Sequence, residues 1–330
     1  MKIKPPQRIL LSRTDGIGDV VLTLPMAGAL KRHFPDCTVA FLGRAYTQPV
    51  VGACEHIDEF INWDDLQALP SADRAEQLAA ARFDAVIHVF PRREIASTAR
   101  VARIPLRVGT SRRWFHLHTC NRLTHFSRKS SSLHEAQLNL RLLEPLGLRR
   151  FSLKEIPDLF GLTRLEPLAE EFARMLEPER THLILHPKSH GSGKEWGVDN
   201  WAQLIAALSP RFQIFITGSE AEGALVRPAL VRPFPQVHDL TGRLPLGQLI
   251  SFVAAADALV ACSTGPLHLA AALGTFALGL YPSRRPIHPG RWAPLGRKTA
   301  VIEDGVTERY AGNLAISVER AIKALTALIP

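Results

Sequence analysis

The chain has 330 residues, of which 46% are hydrophobic and 22% charged, with a formal net charge of +9. This composition excludes wholesale disorder, and the length favours two domains of about 150 residues each. The amino terminus lacks the apolar segment of a signal peptide, and no window stays apolar over about 18 residues, so no membrane span is expected. The four cysteines form no CxxC pair, which is typical of a reduced, cytoplasmic protein.

The excess positive charge is concentrated in residues 92–150. This stretch contains thirteen Lys or Arg against three Glu. Such a surface favours an anionic partner, which is nucleic acid, anionic lipid or a phosphorylated glycan. A basic surface that is merely solvated is the alternative.

In the first half of the chain, short apolar runs alternate with helix-spaced segments. Predicted strands cover residues 9–11, 38–42, 57–61, 85–89 and 106–109. Predicted helices cover residues 19–33, 46–52, 71–82 and 132–146, the last of them ended by Gly147. Residues 148–165 show no periodicity, which is typical of an interdomain linker.

The second half repeats the alternation. Predicted strands cover residues 182–185, 213–217, 258–261 and 276–280. Predicted helices cover residues 199–208, 221–230, 246–256, 265–273 and 314–328, and residues 281–296 are predicted as an ordered loop. This alternation predicts an α/β fold with parallel sheets. We therefore expect two Rossmann-like domains, 1–160 and 161–312, facing across a cleft, and a terminal helix within 313–330.

The turn after the first strand contains Asp15 and Asp19, with Arg13 beside them. A carboxylate in this turn lies at the edge where open α/β sheets bind ligands, and it can act as a general base on a hydroxyl. The alternative is that the aspartates only cap a helix. The GxGxxG dinucleotide fingerprint fails, because Val21 stands where its third glycine is needed.

The loop after strand 182–185 predicts a phosphate site in the second half. It combines glycines and serines with Lys188 and Lys194. It is not a Walker A loop, yet its backbone N–H groups and its charge suit phosphates. A solvated turn is the alternative interpretation.

The segment from Ser263 predicts a second anion-binding element. Ser263 or Thr264 suits a helix N-cap and Pro266 suits the first turn, so free N–H groups point at an anion. His268 either contacts the same anion or is a buried structural histidine. A serine hydrolase is disfavoured, because Ala261 stands where GxSxG needs glycine.

The basic stretch also contains three histidines and a cysteine close together in sequence. His116, His118 and Cys120 alternate, which predicts that they share one face of a strand, with His125 nearby. Such a set can bind a transition metal, but its spacing matches no closed site, and a basic anion-binding segment is preferred.

Together these motifs resemble glycosyltransferase family 9, the ADP-heptose:lipopolysaccharide heptosyltransferases. The matches are Asp19 in Gly-Asp-Val-Val-Leu-Thr-Leu-Pro, Lys194 in Gly-Lys-Glu-Trp, and the run Ser-Thr-Gly-Pro-Leu-His-Leu-Ala-Ala-Ala-Leu-Gly from Ser263. The resemblance spans nearly the whole chain. It implies the GT-B fold and an inverting transfer of heptose, or a related sugar, from an ADP-sugar. It also implies a terminal helix that commonly returns to the first domain.

The resemblance also implies roles for single residues. Asp19 would be the general base, and Lys194 would neutralise the diphosphate leaving group. The donor would be bound by residues of the second domain: Ser189, His190, Glu222, Ser263, Thr264, Gly265 and His268. The acceptor, the anionic inner core of lipopolysaccharide, would contact residues of the first domain: Gly18, Arg92, Arg93, Arg112 and Arg113.

The resemblance implies no obligatory metal or other cofactor, and it implies peripheral contact with the cytoplasmic face of the inner membrane. One position departs from the family: many members have Asp where this chain has Ser263, so the donor sugar and nucleotide stay open. Two other classes also stay open. They are a nucleotide-dependent oxidoreductase, which the broken GxGxxG disfavours, and a non-catalytic nucleic-acid binder, for which no motif is present.

Overall fold

The computed structural model describes residues 5–189, 191, 193–308 and 311–328. The chain divides into two compact units, Met1–Arg164 and Leu165–Pro330. This division falls close to the expected boundary at residue 160. Within the described ranges, no helix combines the length and the apolar character needed to cross a bilayer.

In the first unit, the described residues form a parallel sheet of six strands in the order β3-β2-β1-β4-β5-β6. The strands are β1 (Arg8–Ser12), β2 (Thr38–Gly43), β3 (Glu59–Asn62), β4 (Ala85–His88), β5 (Leu106–Thr110) and β6 (Arg122–Thr124). The α-helices are α1 (Ile17–Val21), α2 (Leu24–His33), α3 (Gln48–Gly52), α4 (Trp63–Ala68), α5 (Ser71–Ala80), α6 (Arg93–Val101), α7 (His116–Thr119) and α8 (Glu135–Leu140). Short 3₁₀ helices cover Ala45–Thr47, Arg141–Leu146 and Leu153–Leu159.

The described part of the second unit forms another six-stranded parallel sheet, in the order β12-β11-β10-β7-β8-β9. The strands are β7 (Thr181–His186), β8 (Phe212–Ile216), β9 (His238–Asp239), β10 (Ala258–Cys262), β11 (Phe276–Tyr281) and β12 (Thr299–Glu303). The helices are α9 (Glu170–Ala173), α10 (Val198–Leu208), α11 (Glu220–Leu230), α12 (Leu246–Ala255), α13 (Gly265–Leu273), α14 (Pro289–Trp292) and α15 (Val318–Leu328).

The two sheets have the same topology. Counted within its own unit and read from the β9 end, the second sheet also has the strand order 3-2-1-4-5-6, the order of dinucleotide-binding folds. The central strands are buried on both faces: Ile9, Leu10 and Leu11 of β1 are all 0% exposed. Uninterrupted apolar runs are expected in such strands, because helices cover both sides of a parallel sheet.

The helix predicted over residues 19–33 is two helices. α1 ends at Val21, and α2 begins at Leu24 with Pro25 in its first turn. Proline has no N–H to donate and is favoured at a helix start, so Pro25 begins a new helix there. Asp19 therefore lies inside the short α1 and not at the start of a long helix.

The strand predicted through His116, His118 and Cys120 is wrong. His116–Thr119 is the helix α7, in which the N–H of Cys120 donates to the carbonyl of His116 at 2.9 Å. The three side chains therefore do not share the face of a strand.

The terminal helix α15 packs within the second unit. Its buried residues Ala321 and Leu325 belong to the same core as Trp201 and Leu204 of α10. The segment before it is also anchored there, because the indole N–H of Trp196 donates to the carbonyl of Ile316 at 2.8 Å. Its core contacts are thus those of the second unit, although the family resemblance suggests a return to the first domain.

Candidate active site

Each sheet reverses its strand order at one point, between β1 and β4 in the first unit and between β7 and β10 in the second. In open α/β sheets, ligands bind outside the carboxyl ends of the strands at this point. The segments that follow these strands contain most of the residues singled out from the sequence. They form the first edge, which comprises residues 13–19 and 89–93, and the second edge, which comprises residues 187–197 and 263–268.

The first edge is built around a buried arginine. The Arg13 side chain is 3% exposed, and its Nε and Nη2 donate to the two carboxylate oxygens of Asp15 at 2.6 and 2.9 Å. Nη2 also donates to Asp19. Nη1 points toward α8, where it donates to Asn139 Oδ1 at 3.3 Å and lies 3.6 Å from Glu135 Oε1. These five residues are named the Arg13 cluster.

Asp19 has the proton affinity that a general base needs. Its pKa is raised from 3.8 to about 6, chiefly because burial disfavours the charged form. Arg13 opposes this shift, while the charges of Asp15 and Glu135 add to it. The carboxylate is 28% exposed, so it remains accessible to a ligand. A base with a pKa near the working pH is efficient, because it is mostly unprotonated and still accepts a proton readily.

The residues expected to contact the acceptor occupy different places. Arg92 lies at the first edge, where its Nε donates to the Thr14 hydroxyl at 2.9 Å and its guanidinium stacks on Phe90. Gly18 lies within α1, and its carbonyl accepts the N–H of Leu22.

The other three arginines lie on an exposed surface. Arg112 and Arg113 are exposed in the loop after β5. Arg93, at the start of α6, stacks on exposed Trp114 with 5.0 Å between its guanidinium carbon and the ring centroid. Arg92 is therefore bound to the turn after β1 by a hydrogen bond, whereas its neighbour Arg93 stacks on Trp114.

At the second edge, the loop after β7 folds back on itself. The hydroxyl of buried Ser189 donates to the carbonyl of Gly193 at 2.9 Å, and Lys188 pairs with Glu195 at 2.6 Å. A Cβ on Gly193 would lie 2.9 Å from the carbonyl oxygen of Ser263, so only glycine lets the loop approach the turn before α13 this closely. His190, an expected donor-binding residue, lies outside the described residues.

Lys194 belongs to a positively charged part of this edge. Its pKa is lowered, first by partial burial and then by the charge of Arg284, with Asp304 opposing. In the part of the chain that the structure describes, the buried Nε of Arg284 has no hydrogen-bond partner. Two neighbouring cations, with the buried Nε of Arg284 unpaired among the described residues, are an arrangement expected of an anion-binding site.

The start of α13 supplies a second set of donors. Thr264 is its N-cap in extended conformation, Gly265 is its first residue, and Pro266 lies in its first turn. The hydroxyl of Thr264 is buried, and it has no hydrogen-bond partner among the described residues. The N–H groups of the first turn of a helix have no partner within the helix and attract anions. His268 is buried one turn into the same helix.

Two expected donor-binding side chains have structural partners. The carboxylate of Glu222 accepts the N–H of Ser219 at 2.7 Å and its hydroxyl at 3.0 Å, forming the capping box that starts α11. Ser263 makes a side-chain hydrogen bond with the phenol of buried Tyr281, which lowers the Tyr281 pKa against the larger opposite effect of burial.

Sequence reasoning missed Arg128, Glu135, Asn139 and Arg284. Glu135 and Asn139 stand more than 100 residues from Arg13, so no local pattern joins them to it. The only local signal is their spacing of four residues, which puts two polar side chains on one face of a helix.

The histidines of the basic stretch form no metal centre in the described ranges, which contain no group of three or more His, Cys, Asp or Glu placed to hold an ion. The Nδ1 of His116 instead contacts the backbone of Thr110 at 3.1 Å. His118 is exposed.

Two parallel sheets in the same strand order, each with polar residues at its switch point, define a doubly wound α/β protein. Residues 73–311 match the sequence model of Glycosyltransferase family 9 (heptosyltransferase), and the chain belongs to this family. It is therefore a glycosyltransferase, and the resemblance noted in the sequence is confirmed.

Among similar proteins, a Haemophilus influenzae protein named provisionally as a glycosyltransferase is 26% identical over 301 residues, covering 88% of this chain and 86% of its own. Lipopolysaccharide heptosyltransferase 3 of Escherichia coli is 23% identical and covers 80% of this chain and 79% of its own. The structure of E. coli ADP-heptose lipopolysaccharide heptosyltransferase II has a TM-score of 0.77 at 22% identity, with 97% and 98% of the two chains covered. This likeness shows the fold, and the predicted α/β class of GT-B type is confirmed.

Proposed function

We propose that the enzyme transfers heptose, or a closely related sugar, from an ADP-sugar to the inner core of lipopolysaccharide with inversion at the anomeric carbon. The observation that supports this most strongly is the pair of complementary edges. The first presents a carboxylate with a pKa near 6, and the second presents cations and helix N–H groups. The sugar and the class of acceptor come from the names of two E. coli relatives, lipopolysaccharide heptosyltransferase 3 and ADP-heptose lipopolysaccharide heptosyltransferase II.

In the proposed reaction, Asp19 removes the proton of the acceptor hydroxyl as its oxygen attacks the anomeric carbon of the donor. The bond between that carbon and the diphosphate oxygen breaks, and the electron pair leaves with the nucleoside diphosphate. Lys194 and the first turn of α13 stabilise the charge that develops on this leaving group.

The donor site comprises Ser189, His190, Lys194, Thr264, Gly265 and His268 in this proposal. Because its cations and dipoles are already in place, the leaving group needs no obligatory metal ion. Glu222 and Ser263 contribute mainly by shaping the site, since both side chains already have protein partners.

A second candidate function is transfer of another sugar, or from another nucleotide, by the same mechanism. Ser263 favours it, because a neutral hydroxyl held by Tyr281 replaces the acidic residue that many family members have there. The two candidates share their catalytic residues and differ only in the donor.

A thermal-unfolding screen of donors separates the candidates. A ligand at about 100 times its Kd stabilises the folded protein by about 2.7 kcal/mol, which shifts the midpoint measurably. We expect ADP-heptose to give a larger shift than ADP-glucose, UDP-glucose or GDP-mannose. A larger shift with one of the other sugars would select the second candidate. Stabilisation by NAD(H) alone would contradict both.

The acceptor side of the proposal includes contact with the inner membrane. Trp114 and Leu117 are 61% and 56% exposed, beside the exposed arginines Arg112 and Arg113. Exposed tryptophan suits the boundary between lipid and water, and arginines are attracted to anionic headgroups. In this proposal Arg92, which lies at the first edge, binds the acceptor itself.

Vesicles of phosphatidylcholine with about 30% phosphatidylglycerol test this contact, and the charge effect on which it depends falls with added salt. Trp63, Trp196 and Trp201 are buried and Trp292 is half-buried, so the part of the blue shift of tryptophan fluorescence that is lost in Trp114→Ala reports on Trp114. We expect the shift at low salt and its loss in Trp114→Ala and at high salt. Leu225→Ser, which removes an exposed leucine from α11, is the control. Equal binding by Trp114→Ala and the wild type would contradict the contact.

A further inference from the structure

Helix α8 directs two polar side chains into the interior of the first unit. Glu135 and Asn139 are 1% and 0% exposed, and they are one helical turn apart, so they lie on the same face. Burying a carboxylate and an amide is unfavourable unless both are well partnered. Their partners therefore indicate what this face of α8 does.

Glu135 fixes the orientation of Arg13. Its carboxylate pairs with Arg128 and faces Arg13 Nη1 at 3.6 Å, while the same Nη1 donates to Asn139 Oδ1 at 3.3 Å. Nη1 is held by α8. The other two nitrogens of the guanidinium, Nε and Nη2, therefore donate to Asp15 and Asp19. A planar guanidinium allows this division of donors, whereas a lysine ammonium would not.

Asn139 reaches Asp19 by a second route, through the backbone. Its Nδ2 donates to the carbonyl of Leu22 at 2.9 Å and lies 3.4 Å from the hydroxyl of Thr23. That hydroxyl donates to the carbonyl of Asp19 at 2.8 Å. Asn139 thus binds the break between α1 and α2, at Leu22 and Thr23, one helical turn after Asp19.

We propose that Glu135 and Asn139 are positioning residues that hold the Asp19 carboxylate in place, Glu135 through Arg13 and Asn139 through both Arg13 and the Leu22–Thr23 break. The proposal rests on the proposed role of Asp19 as the general base. Neither residue touches substrate in this account. Their effect reaches the reaction only through the position and the electrostatic surroundings of Asp19.

The charged groups that face Asp19 come from three elements. Arg13 and Asp15 lie in the turn after β1, Glu135 lies on α8, and Arg128 lies in the loop before it. Arg13 and Arg128 lower the pKa of Asp19, and Asp15 and Glu135 raise it. Removing the Glu135 charge should therefore lower the pKa of Asp19, while a new carboxylate at position 139 should raise it.

A nuclear magnetic resonance titration of the ligand-free full chain with ¹³C-labelled Asp carboxyl groups tests this directly. The resonance that disappears in Asp19→Asn identifies Asp19. We expect a midpoint near 6 in the wild type, a decrease of about half a unit or more in Glu135→Gln, and an increase of similar size in Asn139→Asp. A purely structural role does not produce shifts of opposite sign.

Glu144→Gln is the matched control. Glu144 pairs with Arg141 and Arg150 just after α8 and is not among the charged groups that shift the pKa of Asp19, so the Asp19 midpoint should not move. If one of the two α8 variants does not fold, the titration midpoint of Asp19 in the other variant decides. Midpoints in the folded variants within about 0.2 units of the wild type would overturn the proposal, since one full unit corresponds to about 1.4 kcal/mol of interaction.

Kinetics with ADP-heptose and a lipopolysaccharide inner-core acceptor separate this inference from the proposed function. Both α8 variants should lower kcat and leave KM for ADP-heptose unchanged. If Asp19→Asn keeps wild-type activity, the proposed function is wrong. If Asp19→Asn is inactive while neither α8 variant moves the titration or kcat, the general base stands and the positioning role is wrong.

Discussion

The two edges have the same position in the same strand order, yet their chemistry differs. The first edge concentrates ionised side chains around buried Arg13, with Asp15, Asp19 and Glu135 within reach of one guanidinium. The second edge relies on helix N–H groups, on a loop that approaches closely because Gly193 has no side chain, and on the Thr264 hydroxyl.

This contrast shows that the strand order fixes where ligands bind but not what is done to them. The loops that follow equivalent strands supply the chemistry. In our account the first edge moves a proton and the second holds a diphosphate. Substitutions at the first edge should therefore change turnover, and substitutions at the second should change donor binding, with or without a change in turnover.

The largest effect is expected from Asp19→Asn. The amide keeps the shape of the side chain but cannot accept the proton, so kcat should fall by about 10²- to 10⁴-fold. The measurement is the rate of ADP release from ADP-heptose in the presence of acceptor, with ADP affinity from calorimetry unchanged. Arg82→Gln, a surface substitution away from the site, is the control for handling effects. Turnover within tenfold of the wild type would show that Asp19 is not the base.

A smaller effect is expected from Lys194→Met. This change removes a cation that stabilises the leaving group, and we expect about a 10²-fold loss in kcat/KM together with weaker ADP binding. Lys188→Met is the matched control, because Lys188 already pairs with Glu195 at 2.6 Å in the same loop. Equal losses in the two lysine variants would show that the loop contributes only general positive charge.

Thr264→Val should affect binding alone. The hydroxyl is buried, and no residue that the structure describes bonds to it, so we assign it to a donor phosphate. Losing one such hydrogen bond costs about 1 kcal/mol, or about fivefold in ADP affinity. The folded protein should be as stable as the wild type or more stable, since valine leaves no buried hydroxyl unpaired. Reduced stability with unchanged ADP affinity would make Thr264 a structural N-cap instead.

Outside turnover and binding, we expect a change of stability with pH. Because the folded protein raises the pKa of Asp19 from 3.8 to about 6, it binds a proton more tightly than the unfolded chain, and Asp19 lowers stability as pH rises through that window. Asp19→Asn should therefore be more stable relative to the wild type at pH 8 than at pH 4, by about 2 kcal/mol. The measurement is urea unfolding at both pH values, and a difference of opposite sign would contradict the raised pKa.

Local sequence signals predicted the helix of the second edge well. The helix predicted over residues 265–273 has the bounds of α13, because Pro266 favours its first turn and Gly274 ends it at a φ of 87°. The capping role of Glu222 also has a local signal in the sequence, the Ser219-x-x-Glu222 pattern.

The first edge was less predictable, because its partners are distant in sequence. Asp19 was singled out from its turn, but the contacts of Arg13 with α8 are tertiary and follow no local pattern. Helix α6 was missed as well. Its exposed face is rich in arginine and other polar residues, and only Ile95, Ala96 and Ala99 mark its buried side.

The pH dependence of kcat/KM for the wild type tests the assignment of Asp19 most directly, because this ratio reports the pKa of essential groups in the free enzyme. We expect the rate to fall with decreasing pH around a midpoint of about 6, the pKa of Asp19 in the folded protein, and we expect the residual rate of Asp19→Asn to show no such midpoint. A wild-type profile that is flat between pH 5 and 8, or a midpoint that persists in Asp19→Asn, would contradict the assignment.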